Sequence, residues 1–257
     1  ATTLTSHFES IFQDAINDFS PISLAEMDRV ALMNRTDTKF ILKKDLLLEI
    51  FPEIKSSYAV LEVGGFRLNR YNSMYYDTPG FDFFKDHHRG KRGRAKVRIR
   101  TYVESALSFL EVKVKDKKGD TEKTRIKVDG FEPQFSQEQQ TFINTTIGKD
   151  LHLSPVLQNA FTRITLVNKT EEERATIDLD LRFNGGMTLT GNGNNLVIIE
   201  VKQSGFKRSS PIVQSLRKRK IHPYSISKYC MGLGLIHQEL KQNKFKEKFL
   251  KINKIAS

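Results

Sequence analysis

Polar and apolar side chains alternate residue by residue through AKVRIRTY. A strand there sets Lys96, Arg98, Arg100 and Tyr102 on one face, and Val97, Ile99, Thr101 and the following Val103 on the other. The same two-residue period recurs along the chain. Glu111, Lys113 and Lys115 oppose Leu110, Val112 and Val114; Lys123, Arg125 and Lys127 oppose Ile126 and Val128. Arg163 opposes Ile164 and Leu166, Asp178 and Asp180 oppose Ile177, Leu179 and Leu181, and Glu200 and Lys202 oppose Ile199 and Val201. In TDTKF, Asp37 and Lys39 face away from Phe40. Seven strands thus pair a charged face with an apolar one.

Helical spacing brackets and interrupts these strands. Phe8, Ile11, Phe12, Ala15, Ile16 and Phe19 form an apolar stripe that ends before Pro21. KKDLLLEIFPEI reads as a short helix stopped near Pro52, and GFDFFKDHHRGKRG as a helical turn closing in a basic loop. A mixed helical region is expected over residues 136–158, and the C-terminal part is helical, ending in a Lys-rich tail. No fixed-period repeat or linker interrupts the chain. The pattern predicts one α+β domain over residues 1–257, with a core at about 25–236 and a helical tail at 237–257.

Composition sharpens this. Over 257 residues the net charge is +12, which points to polyanionic partners such as nucleotides, phosphate chains, nucleic acid or anionic lipid. The single cysteine, Cys230, excludes an intrachain disulfide and a Cys-rich zinc site. No apolar run approaches the ~20 residues of a membrane helix, and a cytoplasmic location is the expectation.

The charged faces have two architectural readings. An open sheet would leave them solvated; a closed barrel would turn them inward around a lumen. A dry lumen is excluded by magnitude. An unpaired buried ion costs several kcal/mol, whereas a whole domain is stable by only about 5–15 kcal/mol. A lumen must therefore be wet, salt-paired or built to hold an anion.

In order, RTDTKF, YYDTP, KVRIRTY, FLEVKVK with GDTEKTR, FTRITL, IIEVK and SISKYCMG resemble the motifs of the vacuolar transporter chaperone (VTC) polyphosphate polymerases, over roughly residues 25–236. Those belong to the triphosphate tunnel metalloenzymes. The resemblance implies an antiparallel eight-stranded β tunnel, a closed barrel with a charged lumen flanked by helices at both termini. Asp37 stands where the family usually has Glu, and Phe40 where it has Tyr. Arg35 takes the place of the first acid of the E-x-E-x-K signature, which sets the chain apart from the thiamine-triphosphatase and adenylate-cyclase branches.

By resemblance, Lys39, Arg98, Arg100, Lys113, Lys123, Arg163 and Lys228 would grip phosphates, with Arg125 or Lys127 as alternatives to Lys123. Lys96, Lys115, Arg125 and Lys202 would assist. Glu200 would hold Mn²⁺ or Mg²⁺, with Asp37, Glu111 and Asp178 as supporting acids. Phosphoryl transfer asks mainly for positioning and charge neutralisation, which suits such a set. His87 and His88 are either phosphate-handling or part of a solvated basic loop, and Ser225 or Ser227 would cap the last helix. The Lys-rich tail is either a solvated helix or one lying on an anionic surface.

The implied reaction passes the γ-phosphate of ATP to inorganic polyphosphate, with ADP leaving. A tripolyphosphate or nucleoside-triphosphate hydrolase is the alternative. A non-enzymatic polyanion binder, nucleic acid included, is disfavoured because Tyr102 alone interleaves the basic strands. The resemblance leaves room for a separate membrane subunit, and oligomeric state stays open.

Overall fold

The computed structural model describes residues 2–29, 35–191, 194–240 and 243–257. In chain order the elements are α1 (Thr2–Asn17), β1 (Ser20–Ile22), α2 (Leu24–Asp28), β2 (Arg35–Lys43), α3 (Leu46–Ile54), β3 (Tyr58–Leu61), β4 (Asn69–Asp77), α4 (Asp82–Arg89) and β5 (Arg94–Tyr102). They continue with β6 (Leu107–Lys115), β7 (Thr121–Val128), α5 (Gln137–Ile147), β8 (Ser154–Asn168), β9 (Glu173–Phe183), β10 (Leu196–Ser204), α6 (Pro211–Lys218), α7 (Lys228–Ile236) and α8 (Asn243–Ala256). Asn192 and Gly193, in the loop expected before β10, lie outside the described residues.

Eight antiparallel strands follow one another in the order β2-β10-β9-β8-β4-β5-β6-β7, with β3 and β1 attached beside β8. The apolar faces build the core. Phe40, Ile199, Ile177 and Ile164 stand directly opposite one another across β2, β10, β9 and β8. All four are essentially inaccessible, each burial contributing roughly 1.5–3 kcal/mol. Phe12 and Ile16 of α1, Leu47, Ile50 and Phe51 of α3, and Ile212, Val213 and Leu216 of α6 cover that row. Farther along, Val97, Ile99, Leu110 and Val112 pack with Ile143 of α5. Ser136 and Gln139 start α5 with a reciprocal capping box, and Gly148 ends it at φ 77°.

The charged faces turn to the other side, and the sheet curls around them. Side chains of β2 and of β7, the two ends of the strand order, line the same cavity. The expected hydrogen-bonded closure is not present: among the described residues no ladder joins β2 to β7. β7 instead remains a charged, largely exposed edge of the kind that resists mispairing.

Two local expectations are corrected. The region expected to be helical to residue 158 is helical only to Ile147, and β8 begins at Ser154, where Val156 and Leu157 continue a strand paired with β4. Helix α3 does end near Pro52, two residues on at Ile54. The C-terminal tail buries Phe245, Ile252 and Ala256 and packs along β2 and β10, with Phe245 on Phe84 and His88, so it is more than a solvated helix. No described helix is long and apolar enough to cross a membrane.

Candidate functional site

Lys96, Lys113 and Lys123 sit directly opposite one another on β5, β6 and β7. Like charges in that relation repel. They line a cavity of about 1210 Å³ together with Arg35, Lys39, Arg94, Lys115 and Lys248. Among the described residues, three carboxylates, Asp37, Asp120 and Glu200, stand against these eight cations. Two of the cations are hydrogen-bonded to neutral dipoles. Lys39 Nζ donates to the Ile226 carbonyl at 2.8 Å and Lys96 Nζ to Ser227 Oγ at 3.1 Å. Burial, reinforced by Lys39 and Lys113, brings Lys96 down to about 8, and burial with Arg98 brings Lys123 to about 8 despite Glu111.

Deeper in the curl the charges are paired. Glu111 is buried and accepts from Arg98 Nε at 2.7 Å, with Lys123 Nζ at 2.8 Å from its other oxygen. Asp178 takes a two-pronged contact from Arg163, Nε at 2.7 Å and Nη2 at 2.9 Å, and Lys228 Nζ at 2.5 Å. Burial opposes ionisation of both acids, but these cations hold each well below the usual carboxylate range. Arg100 differs. It is buried, donates to Ser73 Oγ at 3.1 Å, and lies over the Tyr71 and Phe161 rings at 5.4 and 5.6 Å. Burial also opposes ionisation of Tyr75, yet Arg98, Arg100 and Lys96 bring its phenol down to about 7.

Helix α7 completes the wall. Ser227 caps it by accepting from Cys230 N, which places Lys228 at its first turn facing Asp178. This is the capping role expected of Ser225 or Ser227. His87 lines the cavity, and burial with Lys96 and Arg94 pulls its imidazole to about 2, so it is neutral there. His88 instead packs on Phe84 and Phe245. The solvated-loop reading of this pair is corrected, because α4 folds both rings inward.

Glu200 faces the same cavity, with Lys202 at 3.4 Å and Lys39 at 3.9 Å. Burial opposes its ionisation, but Lys202 and Lys39 bring it down to about 2. Among the described residues no three His, Cys, Asp or Glu gather into a metal-holding group. Asp37 is engaged with Arg35 at 3.3 Å. The donor set does not suit a cation caged by protein. It suits a hard divalent ion sharing one carboxylate with phosphate oxygens.

The structure therefore brings Lys39, Lys96, Lys113, Lys115, Lys123, Asp37 and Glu200 to one cavity, with Arg98, Arg100, Glu111, Asp178 and Lys228 behind it. Lys123 rather than Arg125 meets Glu111 at close range. Arg125, Arg163 and Lys202 line a second cavity of about 400 Å³ beside Tyr71, Tyr102 and Phe109. These rings, with Phe161, went unrecognised in the sequence apart from Tyr102. The signal was present, since Phe109 precedes Glu111 by two residues and shares its face.

The depressed lysines give a pH dependence. Lys96 and Lys123 are charged below pH 8, and a bound polyanion raises their pKa values, so binding above pH 8 must draw protons from solution. Tripolyphosphate affinity is expected to weaken from pH 7 to 9 by about tenfold per lysine. The weakening is smaller in Lys96→Arg, whose cation does not titrate there. Equal pH slopes for the two proteins, measured by calorimetry, would contradict this.

The family described as VTC domain matches residues 34–237. Among solved structures, an adenylate cyclase-like protein from Bacillus halodurans shares the fold at TM-score 0.51 and 11% identity, covering 83% of this chain and 100% of that one. A second adenylate cyclase-like protein, from Vibrio parahaemolyticus, aligns at TM-score 0.47 and 13% identity over 78% and 98% of the two chains. An adenylyl cyclase-like protein from Hippeastrum, in which a triphosphatase activity dominates, aligns at TM-score 0.45 and 16% identity over 77% and 93%. No curated protein sequence matches this one.

Proposed function

This chain belongs to the VTC domain family, and from that premise we propose that it is a metal-dependent polyphosphate polymerase working in a tunnel formed by the curled sheet. The observation that carries the reading is the surplus of eight cations over three carboxylates among the described residues of one cavity, with Lys96 held by a neutral hydroxyl and Lys39 by a carbonyl with Glu200 3.9 Å away. Such groups are costly in an empty protein and are relieved by a polyanion.

Lys39, Lys96, Lys113 and Lys123 hold phosphate oxygens as point charges, and Arg98, Arg100 and Arg163 fix their orientation as planar forks. A terminal oxygen of the polymer attacks the γ-phosphorus of ATP. The bond from that phosphorus to the β-bridging oxygen breaks, and ADP leaves with the bridging oxygen. Lys228, poised at Asp178, neutralises charge at the centre. Glu200 would hold Mn²⁺ or Mg²⁺, which when bound supplies further charge neutralisation across phosphate oxygens. Asp37, Glu111 and Asp178 orient the cations rather than react.

Incubation with ATP and Mn²⁺ should yield polyphosphate matched by ADP, resolved by gel and ³¹P NMR. Arg100→Ala and Glu200→Gln should each lower the rate by roughly 10²–10³. Free phosphate without polymer would replace this reading with hydrolysis.

A further inference from the structure

The two cavities differ in chemistry. Six of the eight cations around the larger one are lysines. Around the smaller one, four of five are arginines, Arg35, Arg125, Arg163 and Arg174 beside Lys202. Tyr71, Tyr102 and Phe109 line its wall, and with the buried Phe161 they form a series of edge contacts: Phe161 to Tyr71 at 5.4 Å, Tyr71 to Tyr102 at 4.9 Å, and Tyr102 to Phe109 at 5.9 Å. The Arg125 guanidinium lies 4.4 Å from the Phe109 centroid and that of Arg163 5.1 Å from Tyr71. Tyr102 and Phe109 are only half-buried, so their rings are open to a ligand. Asn69, at 5% exposure, lines the same cavity, and its Nδ2 has no hydrogen-bond partner among the described residues.

Lysines bind phosphate as point charges. Rings and planar guanidinium groups instead present flat faces on which a heteroaromatic base stacks, and an amide without a partner can meet a base edge. A volume of about 400 Å³ lies in the range of small-molecule sites. We propose that this cavity receives the base of the nucleoside triphosphate donor, stacked against Tyr102 and Phe109 with Asn69 at its edge. The substrate assignment rests on the polymerase reading. Arg163, which lines the cavity and holds Asp178, marks where the triphosphate passes toward Lys228. The lysine-rich cavity is left to the polymer.

The test compares Mg-ATP with Mg-tripolyphosphate, which has no base, by calorimetry on wild type, Phe109→Leu, Tyr102→Leu and Tyr102→Phe. The affinity for ATP relative to tripolyphosphate should fall roughly tenfold in each leucine variant and be retained in Tyr102→Phe. Saturation-transfer NMR should carry magnetisation from protein aromatic protons to adenine H8 and H2 in wild type. An unchanged ratio in both leucine variants overturns the proposal, and so does a proportional loss of both ligands, which would make the rings mere wall. Polymer synthesis with an unchanged ratio removes the base site and keeps the polymerase. A reduced ratio without polymer does the reverse.

Discussion

Replacing Glu111 by glutamine is expected to lower the unfolding free energy by about 3–5 kcal/mol, the cost of removing one partner from a buried ionic group. Glu111 is 1% exposed and is the carboxylate between Arg98 and Lys123. Without its charge, those two cations and Arg100 face one another with no acid between them. Lys123 is 37% exposed and loses less, so the Arg98 arm dominates. The linkage has a definite sign. Glu111 titrates below its ordinary value in the folded protein, so its contribution is fully present above the unfolded value of 4.5 and is lost as pH falls through the folded one. Tripolyphosphate, binding only the folded form, should restore part of the loss at neutral pH. Urea titrations at pH 7 with and without the anion measure both effects. A deficit under about 1 kcal/mol, far short of what a buried partner is worth, would refute the ionic account.

On the proposed polymerase reading, Gly232→Ala should cripple polymer synthesis from a position outside the phosphate-binding set. A Cβ there would stand 2.3 Å from Phe183 Cε1 and 2.9 Å from Leu157 Cδ2. Helix α7 is therefore laid flush on β8 and β9, and the added methyl must push it outward. Overpacking of this kind costs about 1–3 kcal/mol, and for this size of chain each kcal/mol shifts Tm by roughly 2–4 °C. The larger consequence is at the start of the helix, where Lys228 would move away from Asp178 and Ser227 from Lys96. Trimming Phe183 to leucine in the same chain should return both stability and rate. Strictly additive losses in the double variant would show that the two residues do not share the crowded contact.

How much of this was legible in the sequence depends on the range of each contact. The faces of β5, β6, β7 and β10 were readable because a strand's two-residue period is local, and the same period put Arg98 beside Glu111 and Glu200 beside Lys39 once the strands were paired. The start of β8 was not readable. SPVLQNAF offers weak alternation, and only pairing with β4 makes it a strand. The curl was also hidden, since bringing Lys39 and Lys123 to one cavity depends on twist accumulated over eight strands. Phe161, Tyr71, Tyr102 and Phe109 form a row only after four strands are in register. Gly232 read as an ordinary helical residue, because nothing local announces Phe183 across the interface.

With eight cations and three acids around its larger cavity, the resting molecule is in effect an ion exchanger. On the proposed reading, an abundant multivalent anion is expected to occupy it, and the donor would then displace that occupant rather than enter a vacant site. Affinities measured in phosphate or sulfate buffer are then exchange ratios. On the proposed polymerase reading, the rate of polymer growth would follow the balance of triphosphate over free phosphate more closely than the concentration of either.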